Sequence, residues 1–448
     1  MDRTGIPARH PLTIAGSCLL CALGSQVQAA GFQLIEQSVS GMGTSYAGAA
    51  ATAEDASTVY FNPAGLTQLK APQAIAAVHV VVPQAKFNEK GSTHALAGFG
   101  GTLGTDEGGD GGVTGAVPNL FYSRPLSDKL FFGLGINVPF GLSTEYSKDW
   151  VGRYHAIKSE LHTVNINPAI AFKVNDKVSL GFGINAQYIE AELTNAIDFA
   201  TILFPALPVN TNDGFVKLEG DDWSWGWNIG GLFDISDQTR VGIHYRSKIA
   251  HNLEGDADFD LTAAAAAVAA VAAPGLFIDT DVKSSATLPA SASMSIHHTI
   301  NPKWAVMADV SWTEWSRMKE LRFEFDSAQP DGITTLKWED SYRYSIGTTY
   351  KASDRLIYRA GAALDETPIP NARYRTPRIP GEDRTWLAVG LGYKYSNRLS
   401  FDFGYAHLFV KDPKIRKTAT GEDQLRGGLN GDYDASTDIL SAQLKWTF

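Results

Sequence analysis

The sequence predicts an all-β fold, a transmembrane antiparallel β-barrel, and three observations carry that expectation. Apolar residues alternate with small or polar ones over segments longer than most soluble strands; the chain ends on such a segment; and its amino terminus has the form of a secretory signal. Apolar side chains toward lipid and small or polar ones toward a lumen are what such a barrel needs. Closure is the only way strands satisfy their backbone in hydrocarbon.

At the amino terminus, Arg3, Arg9 and His10 precede the apolar run Leu12 to Leu23, and Gln26-Val27-Gln28-Ala29 supplies small or polar residues for a cut. Residues 1–29 therefore read as a signal peptide, with an apolar run too short to span a bilayer. Cys18 and Cys21, the two cysteines of the chain, both fall inside it, so the exported chain has no thiol for a disulfide or a zinc-thiolate site. Ala15-Gly16-Ser17-Cys18 leaves a lipoprotein reading open.

Residues 30–70 are rich in Gly, Ala and Ser and lack sustained alternation, which suits the inside of a lumen better than a lipid-facing wall. Residues 71–448 carry the recurring period of two. Leu130, Phe132, Leu134, Ile136 and Val138 share one strand face until Pro139-Phe140-Gly141 interrupts them. Proline removes a ladder donor and glycine weakens a strand. Val164, Ile166, Ile170 and Phe172 form the next apolar face, followed by Val178, Leu180, Phe182, Ile184, Ala186 and Tyr188. Trp223, Trp225 and Trp227 share parity with Ile229, placing indoles near a membrane interface. A sandwich core is the other reading of these aromatics.

Ala263 to Ala273 is short, Ala-dominated and closed by Pro274-Gly275, so it reads as a loop helix and not a span. Trp304, Val306, Ala308, Val310 and Trp312 form another outer face, then Leu387, Val389, Leu391, Tyr393 and Tyr395. Last, "ILSAQLKWTF" puts Leu440, Ala442, Leu444, Trp446 and Phe448 on one side. A chain ending on an alternating strand with terminal Phe448 resembles the signal read by outer-membrane assembly machinery.

A net charge of −10 without a basic stripe argues against nucleic acid as a partner. "GMGTSYAG" at 41–48 lacks the lysine of a phosphate loop, and no cofactor or metal site is expected. An outer-membrane lipolytic enzyme would need a nucleophile constellation, yet no GxSxG elbow appears. An aqueous porin would suit the alternation but has no need of the long glycine-rich segment or the interrupted strand.

"AGFQL" at 30–34, the spacing Gly41, Gly43, Tyr46, Gly48, "AEDAS" and Asn62-Pro63-Ala64 resemble the outer-membrane long-chain fatty acid transporter family, which includes aromatic hydrocarbon uptake proteins. The resemblance continues in order through "PFGLSTEY", "GWNIGGLFDI", "VGIHYRS", "WAVMADVSWTEWS", "YRYSIGTTYK", "YRAGAALDETPIP" and "IPGEDRTWLAVGLGYKY". It implies a monomeric barrel of about 14 strands in the bacterial outer membrane, with residues 30–70 as a hatch plugging the lumen. It also implies passive uptake of long-chain fatty acids or similar hydrophobic molecules, with uptake of aromatic hydrocarbons such as toluene as the alternative.

The interruption at Pro139, Phe140 and Gly141 then matches a kink that opens the wall sideways into the outer-membrane lipid; a bulge that only helps the wall curve is the plainer reading. Phe32 is expected near the bound ligand, and Asn62, Pro63 and Ala64 beside the kinked strand. Asp365 and Arg359 share parity and should face the lumen, Asp365 near hatch and kink. The apolar loop 198–210 reads as a capture groove or as a loop packing on itself. A carboxylate headgroup needs a positive partner, for which Lys337 and Arg322 are the candidates. Asn195 stands where the family has an arginine, which keeps less polar ligands open.

Overall fold

The structure, a computed structural model, describes residues 31–448; the expected signal peptide, with Cys18, Cys21 and Ala29, lies outside the described residues. Strict alternation makes the wall. In β6 (Val178–Asp198), Leu180, Phe182 and Ile184 are exposed while Ser179, Asn185 and Gln187 are buried, so the apolar side faces outward. The polar side chains turn inward, the inverse of a soluble core and the arrangement lipid requires.

Wall strands follow one another as antiparallel neighbours. The first are β1 (Gln73–Glu89), β2 (Gly115–Pro125), β3 (Leu130–Asn137), β4 (Gly141–Glu145), β5 (Lys158–Lys173), β6, β7 (Asp213–Asp234), β8 (Thr239–Arg246) and β9 (Ile249–Asp260). β3 with β4, and β8 with β9, are halves of single wall strands. Such halves recur farther on, giving a closed barrel of 14 strands among the described residues. The last strand, Asn430–Thr447, closes it by pairing along all of β1, from Gln73↔Thr447 to Glu89↔Gly431. Tight turns such as 126–129 and 174–177 lie at one end and long connections such as 90–114 and 366–383 at the other. Barrels of this type place short turns on the periplasmic side and long loops outside.

Aromatic side chains ring the lipid face. Trp223, Trp225 and Trp227 are exposed, and Trp304 lies 4.6 Å from Tyr350. The expected loop helix forms at Ala263–Ala272 and packs against the short helix Phe199–Ile202: Phe199, Leu203 and Leu207 are buried with Ala265 and Ala269. Loop 198–210 thus uses most of its apolar side chains against a neighbouring loop, an arrangement that neither the capture-groove nor the self-packing reading describes.

Residues 31–72 fold as short helical turns, Val39–Met42, Ala49–Thr52, Thr58–Phe61 and Pro63–Gln68, that touch strands on every side of the barrel and fill its lumen. The wall admits them through inward glycines. A Cβ at Gly242 would collide with the Ala50 carbonyl, and one at Gly230 with the Asn62 side chain.

Candidate ligand pocket and wall gap

β2 pairs with β3 only from Leu120↔Ile136 to Pro125↔Phe131, although β2 starts at Gly115. Beyond Asn137 the alternation stops and residues 138–144 are all buried, so the third wall strand turns into the barrel. The β4 half pairs with β5, and a single bridge, Gly112↔Thr144, links it back toward β2. Pro139 supplies the break, having no N–H to donate. What results is a gap in the ladder between β2 and β4.

Buried backbone groups need partners, and the lumen segment supplies them at the gap. Gln33 bridges Phe140; Leu34 N donates to the Pro139 carbonyl at 2.8 Å, and Gly141 N to the Phe32 carbonyl at 2.9 Å. The Gln37 amide donates to the Val138 carbonyl at 2.8 Å and accepts from Asn137 at 2.8 Å. Thr163 accepts from Phe140 N at 3.0 Å. Residues 32–37 therefore act as a strand that seals the interrupted wall from within.

Above this seal lies a cavity lined by Phe32, Leu161, Ile189, Leu253, Met318 and Leu336 among others. Its floor is aromatic: the Phe32 ring sits 5.0 Å from Trp315, 5.9 Å from Phe140 and 6.0 Å from Trp338. Gly31, at φ +66°, leaves the space that Trp315 occupies; a Cβ there would lie 2.5 Å from the indole. A second, more polar cavity lies past Trp315, lined by Tyr46, His244, Arg246, Asp309, Arg343 and Asp365. Nε and Nη1 of Arg343 have no hydrogen-bond partner among the described residues. Phe32 and Trp315 form the partition between the two chambers.

The structure brings Phe32, Pro139, Phe140 and Gly141 together, and places other expected residues differently. Asn62, Pro63 and Ala64 do not sit beside the kinked strand. The Asn62 amide donates to the carbonyls of Ala50 at 2.7 Å and Gly231 at 3.0 Å, while Pro63 and Ala64 lie against Gly181, on β6 and β7 farther round the wall. Val59 and Leu66 meet β3 instead, at Gly133, because the helical turns carry their apolar side chains that way. Asp365 and Arg359 do face the lumen. Arg384 donates to Asp365 at 3.1 Å, and Arg359 pairs with Asp402 at 2.9 Å and with Glu54.

Neither candidate carboxylate partner faces the apolar cavity. Arg322 is paired with Glu320 at 2.7 Å and Asp331 at 2.6 Å on the outer loop. Lys337 is exposed, between the inward Leu336 and Trp338, with its Nζ 5.1 Å from the Tyr374 ring. The chain has left the strand Gly332–Thr335 here, and Lys337, at φ +50°, turns its side chain away from the buried Leu336 and Trp338. No sequence signal marked Trp338, packed on Phe32, or Arg378, which lines the cavity. Arg378 donates to the Ser159 hydroxyl at 2.8 Å, the Lys158 carbonyl at 3.0 Å and the Asn195 amide oxygen at 3.2 Å. Burial, with Arg426 nearby, holds its guanidinium below the ordinary arginine value.

A sealed strand gap beside an apolar chamber, inside a lipid-facing barrel, narrows the comparison. Residues 20–448 match the family described as outer membrane protein transport protein (OMPP1/FadL/TodX). The chain belongs to this family. As an OMPP1/FadL/TodX protein it is an outer-membrane barrel, and the family is one of transporters. It is 31% identical to outer membrane protein P1 of Haemophilus influenzae, over 97% of this chain and 98% of that one. It is 30% identical to the long-chain fatty acid transport protein of Escherichia coli O6:H1, over 88% and 90%. Two solved structures share the OMPP1/FadL/TodX fold with it. A Pseudomonas aeruginosa FadL homologue matches with a TM-score of 0.85 at 24% identity, covering 93% of this chain and 100% of that chain. The Pseudomonas putida toluene transporter TodX matches at 0.70 and 18%, covering 95% and 100%.

Proposed function

We propose that this protein takes up hydrophobic small molecules passively, long-chain fatty acids foremost, and releases them sideways into the outer-membrane lipid through the gap at Pro139, Phe140 and Gly141. Residues 30–70 act as the hatch, 71–448 as the wall, and one chain suffices. One observation carries the reading: Phe32 puts its ring into the apolar cavity and its carbonyl on Gly141. A ligand that displaces the ring pulls on the bond that seals the wall.

The energetics favour such a route. At about 0.8 kcal/mol per buried methylene, a long acyl chain resists release into water by more than about 10 kcal/mol. Passing from an apolar cavity directly into hydrocarbon avoids most of that barrier and requires no energy source.

A second reading, uptake of neutral aromatic hydrocarbons such as toluene, is favoured by the outward placement of Arg322 and Lys337, which leaves both away from the cavity. Uptake of labelled oleate and toluene into proteoliposomes, with and without replacement of Pro139-Phe140-Gly141 by a regular strand sequence, tests both. Oleate transport that survives a straightened strand rules out lateral release.

A further inference from the structure

We propose that Arg378 is the headgroup receptor of the apolar cavity, so that the chamber selects a long-chain monocarboxylate over a neutral molecule of the same length. The inference rests on the uptake reading and narrows it to a substrate class.

Four charged residues line the cavity, and three are already compensated. Glu160 is held by Lys158 and His162, each at 2.7 Å; Glu219 by Lys217 at 2.5 Å; Lys283 by Glu254 at 2.9 Å. Arg378 differs. Its partners are the carbonyls of Lys158 and Thr194, the Ser159 hydroxyl and the Asn195 amide oxygen, all neutral, and no described carboxylate forms an ion pair with it. Those acceptors orient the guanidinium without neutralising it. The charge that acts on it from Arg426 shares its sign, and Asp423 is held by Arg426 and Lys417. A buried charge without a counterion is costly, and a ligand carboxylate would remove that cost.

The side chain is positioned for the task. Arg378 lies deep among the outer ends of β5 and β6 yet keeps accessible surface, as a residue facing a cavity does. Its acceptor Ser159 lies three residues outward along β5 from His162, the partner of Gly141, to which Phe32 is bonded. That interval is roughly 10 Å. A carboxylate at Arg378 would thus direct its chain along Leu161, Ile189 and Leu253 toward the Phe32 ring. Nη1 is taken by Lys158, Ser159 and Thr194, which leaves the Nε–Nη2 edge to hold carboxylate oxygens in a way that a neutral ester or arene cannot exploit.

Equilibrium binding of radiolabelled oleate and methyl oleate to the full-length detergent-solubilised protein tests this, in the wild type, R378K and R378Q. The expected result is a wild-type preference for oleate of about 10- to 100-fold, lost in R378Q and partly kept in R378K. Methyl oleate should bind all three alike. A wild type that binds both ligands equally, or an R378Q that keeps the preference, overturns the inference and leaves the uptake reading standing. R378Q losing both ligands in parallel overturns it too, because Arg378 would then only brace the loop. A wild type that binds neither ligand sinks the uptake reading itself.

Discussion

Gly141 donates its backbone N–H to the carbonyl of Phe32 at 2.9 Å, and that bond joins the interrupted wall to the ligand chamber. Leu34 adds a bond to Pro139 on the other side of the Gln33–Phe140 bridge, so the pair at 33 and 140 is a non-hydrogen-bonded antiparallel pair. Residues in such pairs approach to about 4.5 Å between Cα atoms.

That spacing suits a disulfide. In the exported chain, which has no native thiol by the signal-peptide reading, Gln33→Cys with Phe140→Cys should oxidise readily and fix the seal. Oleate uptake into proteoliposomes is expected to fall to background and to return on reduction. Full uptake with the bridge demonstrably closed would exclude movement of residues 32–37 from the transport step.

Phe32→Ala keeps the backbone seal but removes the ring that floors the cavity. Oleate affinity should fall roughly tenfold, the value of a lost apolar contact of about 1–2 kcal/mol. Trp315 and Trp338 lie within 6.0 Å of the ring and report the change as an altered fluorescence response to ligand.

Asn62→Ala removes two donated bonds, to Ala50 and Gly231, and the bond its side chain accepts from Ala64 N at 3.0 Å. Docking of the lumen segment should weaken by about 2 kcal/mol. Hydrogen exchange should quicken over 49–66 and stay slow in β1 and the last strand. Equal acceleration in the wall would mean that Asn62 supports the whole barrel.

Asp365→Asn strips a carboxylate from Arg384 inside the lumen, and breaking a buried pair on one side costs about 3–5 kcal/mol. The double variant with Arg384→Gln should recover part of the loss in thermal denaturation. Additive losses would show that the two residues are not coupled.

Arg322→Gln and Lys337→Gln should each leave oleate affinity within roughly twofold, since both side chains are outside the cavity and Arg322 is held by surface acids. A large loss in either direct-binding measurement would put the headgroup on the outer loop.

Much of the wall was legible because alternation is a local property. Val178 to Tyr188 carries its direction at every second residue, and the break at Pro139-Phe140-Gly141 shows as two poor strand formers in a good strand. The lumen segment was legible by what it lacks, while its docking was not. Asn62 finds its partners at Gly231 and Ala50, and nothing between 62 and 231 in the chain records that meeting. The headgroup site failed for the same reason. Asn195 signalled a missing charge, but the guanidinium that reaches it comes from residue 378, across a 366–383 connection with no periodic pattern. Lys337 misled because it lies past the end of a strand, in a left-handed backbone conformation that no period of the sequence records.

The glycines at 181, 230, 242 and 361 make the inner wall a mould cast for one insert, since each would strike the amino-terminal segment if it carried even a methyl group. The two parts are therefore not interchangeable modules. A plug exchanged between relatives should seat only when the matching wall glycines are exchanged with it, and mutations in either half should be read as changes to one shared surface.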